Sequence, residues 1–152
     1  MNKILEYCDI GEKEGAKLLT GGKRHGKKGF YVEPTIFADV KDDMRIAKEE
    51  IFGPVMSIIK FKTVDEVIHR ANASEYGLGA GLVTSSIDNA LKISNALRVG
   101  TVYVNSYNVF DCNTPFGGFK DSGTGRELGE HGHKNYLESK TVIIKRPDDS
   151  LP

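Results

Sequence analysis

"VMSIIKFKTVDEVIHRANASEYGLGAGLVTSSIDNALKISNALRVGTVYVNSY", residues 55–107, alternates two kinds of segment, and the alternation decides the fold class. "VMSIIKF" is an apolar run of strand length. In "TVDEVIHRANASEYG" Thr63 stands as an N-cap, Glu66 takes the capping-box position, and Val67, Ile68 and Ala71 form an apolar stripe that stops at Gly77. "AGLVTSS" reads as a strand. "SIDNALKISNALRVG" reads as an amphipathic helix through Ile87, Ala90, Leu91, Ser94 and Leu97 that ends at Gly100, and "TVYVNSY" as a further strand. The order is βαβαβ. Strands joined by helices of this length imply right-handed crossovers, so the expected fold is α/β with a mostly parallel sheet.

Outward from this centre, "NKILEYCDIGEKEG" places Ile4, Leu5, Cys8 and Ile10 near helical spacing before Gly15. "AKLLTGG" supplies a short strand, and "KRHGKKG" a basic loop punctuated by glycine. "FYVEPTIF" is rich in strand formers but carries Pro34, which confines it to an edge or irregular strand. After residue 120, "DSGTGRELGEHGHKNYLESK" offers Ser122 and Thr124 as caps to a polar helix. "KTVIIKRP" then supplies a terminal strand whose Val142, Ile143 and Ile144 form an edge that needs a partner.

Composition narrows the function classes. Of 152 residues, 39% are hydrophobic and 28% charged, and 21 Lys plus Arg balance 21 Asp plus Glu. Nothing in that balance points to nucleic acid or an anionic membrane. The two cysteines, Cys8 and Cys112, have neither disulfide-framework nor metal-type spacing, as a reducing compartment favours. No stretch reaches the roughly 18 apolar residues of a membrane helix, and the first residues lack a signal-peptide core. The expectation is a soluble intracellular chain without internal repeats.

Local motifs carry less than they first offer. "GLGAG", 77–81, precedes a strand rather than joining strand to helix, which argues against a dinucleotide fingerprint. "FGGFKDSGTGRE", 116–127, lacks the ending of a phosphate loop and reads as a turn. His131 and His133 point to different faces of a helix, with no cluster to complete a metal site. Cys8 reads as core packing. Cys112 lies in the loop "NVFDCNTPFGG", where the neighbouring Asp111 carboxylate opposes thiolate formation. Phe110 and Phe116 flank it and are either a ligand wall or plain packing. In "KEEIFGPV", 48–55, two carboxylates precede a Gly-Pro turn; they are either solvated or placed to accept hydrogen bonds from a sugar diol.

Taken in order, "KEEIFGPV", "ANASEYGL", "GTVYVNSYNVF" and "PFGGFKDSGTGRELG" resemble the C-terminal part of NAD(P)-dependent aldehyde dehydrogenases, and the likeness spans essentially the whole chain. It is nearest to the cytosolic and mitochondrial classes acting on simple and retinoid aldehydes. The resemblance implies a portion of the catalytic domain over 1–120, a returning helix over 121–138, and an oligomerisation strand and tail over 139–152. It implies oxidation of an aldehyde to a carboxylic acid through a cysteine thioester, with NAD, or NADP, as hydride acceptor. The cysteine, the activating glutamate and the oxyanion-stabilising asparagine are expected upstream, so this chain contributes no catalytic residue and no metal ligand, and alone is expected to be inactive.

By the same resemblance Glu50 accepts hydrogen bonds from the nicotinamide ribose, Ile51 and Phe52 sit beside it, and Lys3 reaches the cofactor, while Glu49 is solvated. Phe110, Phe116 and Cys112 line the substrate tunnel. Asp111 stands where relatives carry a small or neutral residue, and Tyr103 where many carry Trp. The tail resembles a strand that crosses to a neighbouring subunit, which implies a tetramer or dimer of the intact protein in the cytoplasm or mitochondrial matrix, with a small aldehyde, no nucleic acid and no membrane as partner. A second reading, from a different class, is a non-catalytic structural or assembly module, as in crystallin-like relatives.

Overall fold

The computed structural model describes residues 1–145. The chain divides into two compact units, Met1–Glu75 with Thr84–Arg98, and Tyr76–Val83 with the chain from Val99 onward. Both mix helix and strand.

The first unit opens with helix α1 (Asn2–Lys13), closed by Glu14 and by Gly15 in the left-handed region at φ 93°. Strand β1 (Lys17–Thr20) follows, then β2 (Thr35–Ala38), the short helix α2 (Arg45–Lys48) and β3 (Val55–Ser57). The sheet order is β1-β2-β3, antiparallel between β1 and β2 and parallel between β2 and β3. Strand β2 is therefore central, where Pro34 in the sequence suggests an edge or irregular strand. Pro34 falls just before the first residue of β2, so the strand never needs its missing N–H, and Thr35 supplies the first donor to Pro54 O at 2.8 Å. Thr35 is buried, and its hydroxyl is satisfied on both sides: it donates to Glu33 O and accepts from Gly22 N.

Alternation along β2 turns Thr35 and Phe37 inward, and Phe37 is fully buried at the centre of the core. Tyr7 and Cys8 from α1, Met44 and Ile46 around α2, and Ala16, Val40 and Ile51 complete it. Helix α1 approaches closely at Gly53, where a Cβ would meet Ile4 at 2.6 Å.

Helices α3 (Val64–Asn72) and α4 (Ile87–Ala96) pack together in the same unit. Glu66 N donates to Thr63 Oγ, the expected cap of α3, and Asn89 N donates to Ser86 Oγ, which caps α4. The Glu66 carboxylate reaches back to Lys62 N, one residue before the cap. Both helices stop before the glycines expected to end them. Asn72 accounts for the join, because its amide donates to Ala96 O and its carbonyl accepts from Arg98 N, each at 2.8 Å. Ala71, expected in the apolar stripe, is exposed.

In the second unit β4 (Tyr76–Gly77) pairs antiparallel with β7 (Phe119–Lys120), and β5 (Gly79–Leu82) pairs parallel with β6 (Thr101–Val104). Gly77 is a strand residue here and Gly100 lies just before β6, Gly100 N donating to Gly77 O at 3.0 Å. A Cβ at Gly100 would lie 1.6 Å from Gly117 O, so only glycine fits. The expected polar helix is shorter than the sequence implied. Helix α5 covers Gly129–His133, continued by a 3-10 turn Lys134–Tyr136, and it follows Leu128 at φ 61° without a side-chain cap. Ser122 is no cap: its hydroxyl accepts from Gly77 N. Of the expected terminal strand, residues 141–145 form no ladder and expose Val142, Ile143 and Ile144, while residues 146–152 lie outside the described residues.

Candidate functional site

The segment after α2 is where the first unit presents its chemistry. Glu49 ends the helix in extended conformation at ψ 148°, so successive side chains leave on opposite sides. Glu49 turns back onto α1, Ile51 enters the core, and Phe52 is 82% exposed with φ at 57°, a left-handed conformation unusual for an aromatic residue. The Glu50 carboxylate is exposed and has no hydrogen-bond or ion-pair partner among the described residues. An uncommitted carboxylate two residues from a bare aromatic ring is suited to accept hydrogen bonds from a diol while the ring packs against a flat ligand.

Lys3 does meet this segment, though through the backbone: its Nζ donates to Glu50 O at 3.0 Å. The ammonium also lies 5.6 Å from the centre of the Tyr7 ring.

Glu49 is not solvated in the sense expected. Arg45 forks onto its two oxygens, Nε at 2.8 Å and Nη2 at 2.9 Å, and the Tyr7 hydroxyl donates to the second. The Arg45 fork first, and the Tyr7 hydroxyl next, hold the Glu49 carboxyl down to about 2. The hydrogen bond to Glu49 in turn raises the Tyr7 hydroxyl above its ordinary value, and the same pairing raises Arg45. Of these residues the sequence signalled only one pair, since Arg45 and Glu49 are four apart, the spacing of a helical ion pair. Tyr7 gave no signal, because its partner lies 42 positions away.

In the second unit Phe110 and Phe116 stand edge to face, ring centres 5.3 Å apart and planes at 72°. Phe116 is fixed by a two-way backbone bridge to Glu127, 2.7 Å in each direction. Cys112 is exposed between them in sequence, and its carbonyl accepts from Gly129 N at 2.9 Å. Asp111 does not reach across the loop, because its carboxylate accepts from Asn113 N at 2.7 Å and so closes a local turn. A pocket of about 430 Å³ opens beside Phe116, walled also by Leu78, Arg126 and Asn135. Phe110 and Cys112 do not line it.

Other candidates fall away. Cys8 is fully buried in the core, and burial pushes its thiol up, away from nucleophilic use. Among the described residues no group of three or more His, Cys, Asp or Glu side chains is placed to hold a metal ion. Among them, too, no helix is long and apolar enough to cross a membrane.

Comparison with known proteins gives this arrangement its context. The model of the aldehyde dehydrogenase family matches residues 1–142. Retinal dehydrogenase 2 of Gallus gallus is 60% identical over 96% of the chain, and aldehyde dehydrogenase 1A1 of Bos taurus 59% identical over 94%. The chain spans 28% of the length of each. Among solved structures, an aldehyde dehydrogenase from Bacillus cereus in complex with NAD+ superposes with a TM-score of 0.91, at 49% identity over 94% of this chain and 29% of that one. An NAD-dependent aldehyde dehydrogenase from Sinorhizobium meliloti reaches 0.94, at 42% identity over 99% of this chain and 30% of that one. The ordered motifs, the α/β architecture and these matches agree: the chain belongs to the aldehyde dehydrogenase family.

Proposed function

We propose that this chain is the part of an NAD(P)-dependent aldehyde dehydrogenase that holds the nicotinamide half of the cofactor and contributes to the aldehyde wall. The observation that carries the reading is the segment 49–52, an uncommitted Glu50 carboxylate beside an exposed Phe52, in a chain whose relatives include an enzyme solved with NAD+.

The residues fit that cofactor. Glu50 is charged, exposed and free to accept two hydroxyl hydrogen bonds, each worth about 1.5–3 kcal/mol where water is excluded. Phe52 offers an apolar face, Ile51 anchors the loop in the core, and Lys3 fixes the backbone between them. When bound, the dinucleotide supplies a hydride acceptor. What these side chains do is restrain its nicotinamide end: hydride transfer needs the donor carbon and the ring close and aligned, and a diol held at two points removes much of the freedom of a flexible molecule. Phe110, Phe116 and Cys112 present an apolar surface suited to aliphatic or aromatic aldehydes. The cysteine that forms the thioester lies elsewhere in the intact protein, because Cys8 is sealed in the core and the Asp111 carboxylate beside Cys112 opposes thiolate formation. These 152 residues alone therefore do not turn over, and the intact protein works as a homo-oligomer in an aqueous compartment.

The test is Glu50→Gln in the complete protein. Single-turnover hydride transfer is expected to slow by on the order of tenfold, one charge-assisted hydrogen bond's worth, with the melting temperature unchanged. Wild-type hydride transfer in that variant would remove the role assigned to Glu50. Tight dinucleotide binding with no turnover in the wild-type protein would instead favour the structural-module reading.

A further inference from the structure

The reading of Glu50 leaves unexplained how an exposed carboxylate on a loop is held in one place. One face of α1 supplies the means. Lys3, Tyr7 and Glu14 stand four and seven residues apart along it, hence on one side. Each grips a different point of the segment from α2 onward. Glu14 accepts from Arg45 N at 2.8 Å, Tyr7 donates to the Glu49 carboxylate, and Lys3 donates to Glu50 O. Arg45 closes the arrangement, forked onto Glu49 and lying 5.3 Å over the Tyr7 ring. The Glu49 carboxylate is the shared acceptor, with three hydrogen bonds, two from Arg45 four positions away and one from Tyr7 42 positions away.

We propose that Glu49, clamped by Arg45 and Tyr7, is a positioning residue that sets the aim of Glu50 and Phe52 toward the nicotinamide half of the dinucleotide. This rests on the cofactor reading above. Glu49 is one peptide from Glu50, on extended backbone, so fixing its side chain fixes the plane from which Glu50 departs. The left-handed Phe52 cannot relax freely while Ile51 is buried on one side of it and Gly53 packs on Ile4 on the other. The clamp thus prepays ordering that the dinucleotide would otherwise meet on binding. It also persists across the working pH range, because the Arg45 fork and the Tyr7 hydroxyl keep Glu49 ionised down to about 2.

The experiment uses the complete protein and reads NADH affinity by fluorescence titration, AMP affinity by competition, and melting temperature. AMP carries only the adenosine half and so reports on the rest of the site. Glu49→Gln is expected to weaken NADH by on the order of tenfold, with AMP unchanged. Tyr7→Phe, which removes one hydroxyl, serves if the first variant does not fold. It is expected to weaken NADH several-fold with AMP unchanged; where both variants fold, the double variant is expected to lose less than the sum of the two, as members of one network do. NADH affinity unchanged in both variants, while Glu50→Gln weakens it, would overturn the clamp and leave the cofactor reading standing. Loss of NADH and AMP binding together would also overturn it, as a general effect of folding. NADH affinity unchanged in Glu50→Gln would overturn the cofactor reading itself.

Discussion

Glu49 and Glu50 are the same residue type in adjacent positions, and they do opposite things. Extended backbone sends one to Arg45 and Tyr7 and leaves the other bare. The difference has a pH signature. The folded-state value of Glu49, about 2, lies below the ordinary 4.5, so the contribution of this group is complete above 4.5 and is lost as pH falls toward 2. The difference in melting temperature between the complete wild-type protein and Glu49→Gln is therefore expected to be flat from pH 7 to 5 and to shrink below 4.5. A difference that shrinks between pH 7 and 5 would mean the fork is not formed. The family's motif drew attention to Glu50 and Phe52 in the sequence, and both are exposed in the structure. The clamp was not legible, since nothing local marks Tyr7 as the partner of a residue 42 positions away, and a carboxylate before a turn reads as wet by default.

Among the elements, the Thr63 cap of α3 and the Gly15 stop of α1 were readable, whereas the Ser122 cap and the stops at Gly77 and Gly100 were not borne out. Thr63 and Ser86 cap α3 and α4 as their side chains dictate, and replacing either by Ala is expected to cost about 1 kcal/mol in chemical denaturation. The ends of α3 and α4 are joined instead by Asn72, whose side chain bonds Ala96 O and Arg98 N. Gly100 is the sharper case: Gly100→Ala must displace Gly117 O and is expected to cost about 3 kcal/mol or more, whereas Gly26→Ala meets no atom and carries only left-handed backbone strain at φ 65°, about 1 kcal/mol. Equal effects of the two would contradict the close approach. The antiparallel pair β4 and β7 was likewise invisible in the sequence, because two-residue strands carry no periodicity.

For the whole chain, the alternation of strand and helix and the family were legible because they rest on long segments and on four motifs in sequence, and the α/β fold follows them, with the short β4 inserted before β5 so that the order from β3 is βαββαβ. What a single chain leaves uncovered is also informative. Leu137, Val142, Ile143 and Ile144 are all at least 69% exposed near the end of the described residues. Apolar side chains gathered in this way call for a partner surface. The 152-residue chain by itself is expected to self-associate in sedimentation velocity, and Ile143→Lys with Ile144→Lys to reduce that association. A monodisperse, stable monomer would contradict it. The central claim, that residues 45–53 hold the nicotinamide half of a dinucleotide, is tested most directly by hydrogen exchange of those amides in the complete protein. NAD+ is expected to slow their exchange and AMP to leave it unchanged; exchange that NAD+ does not alter would contradict the claim.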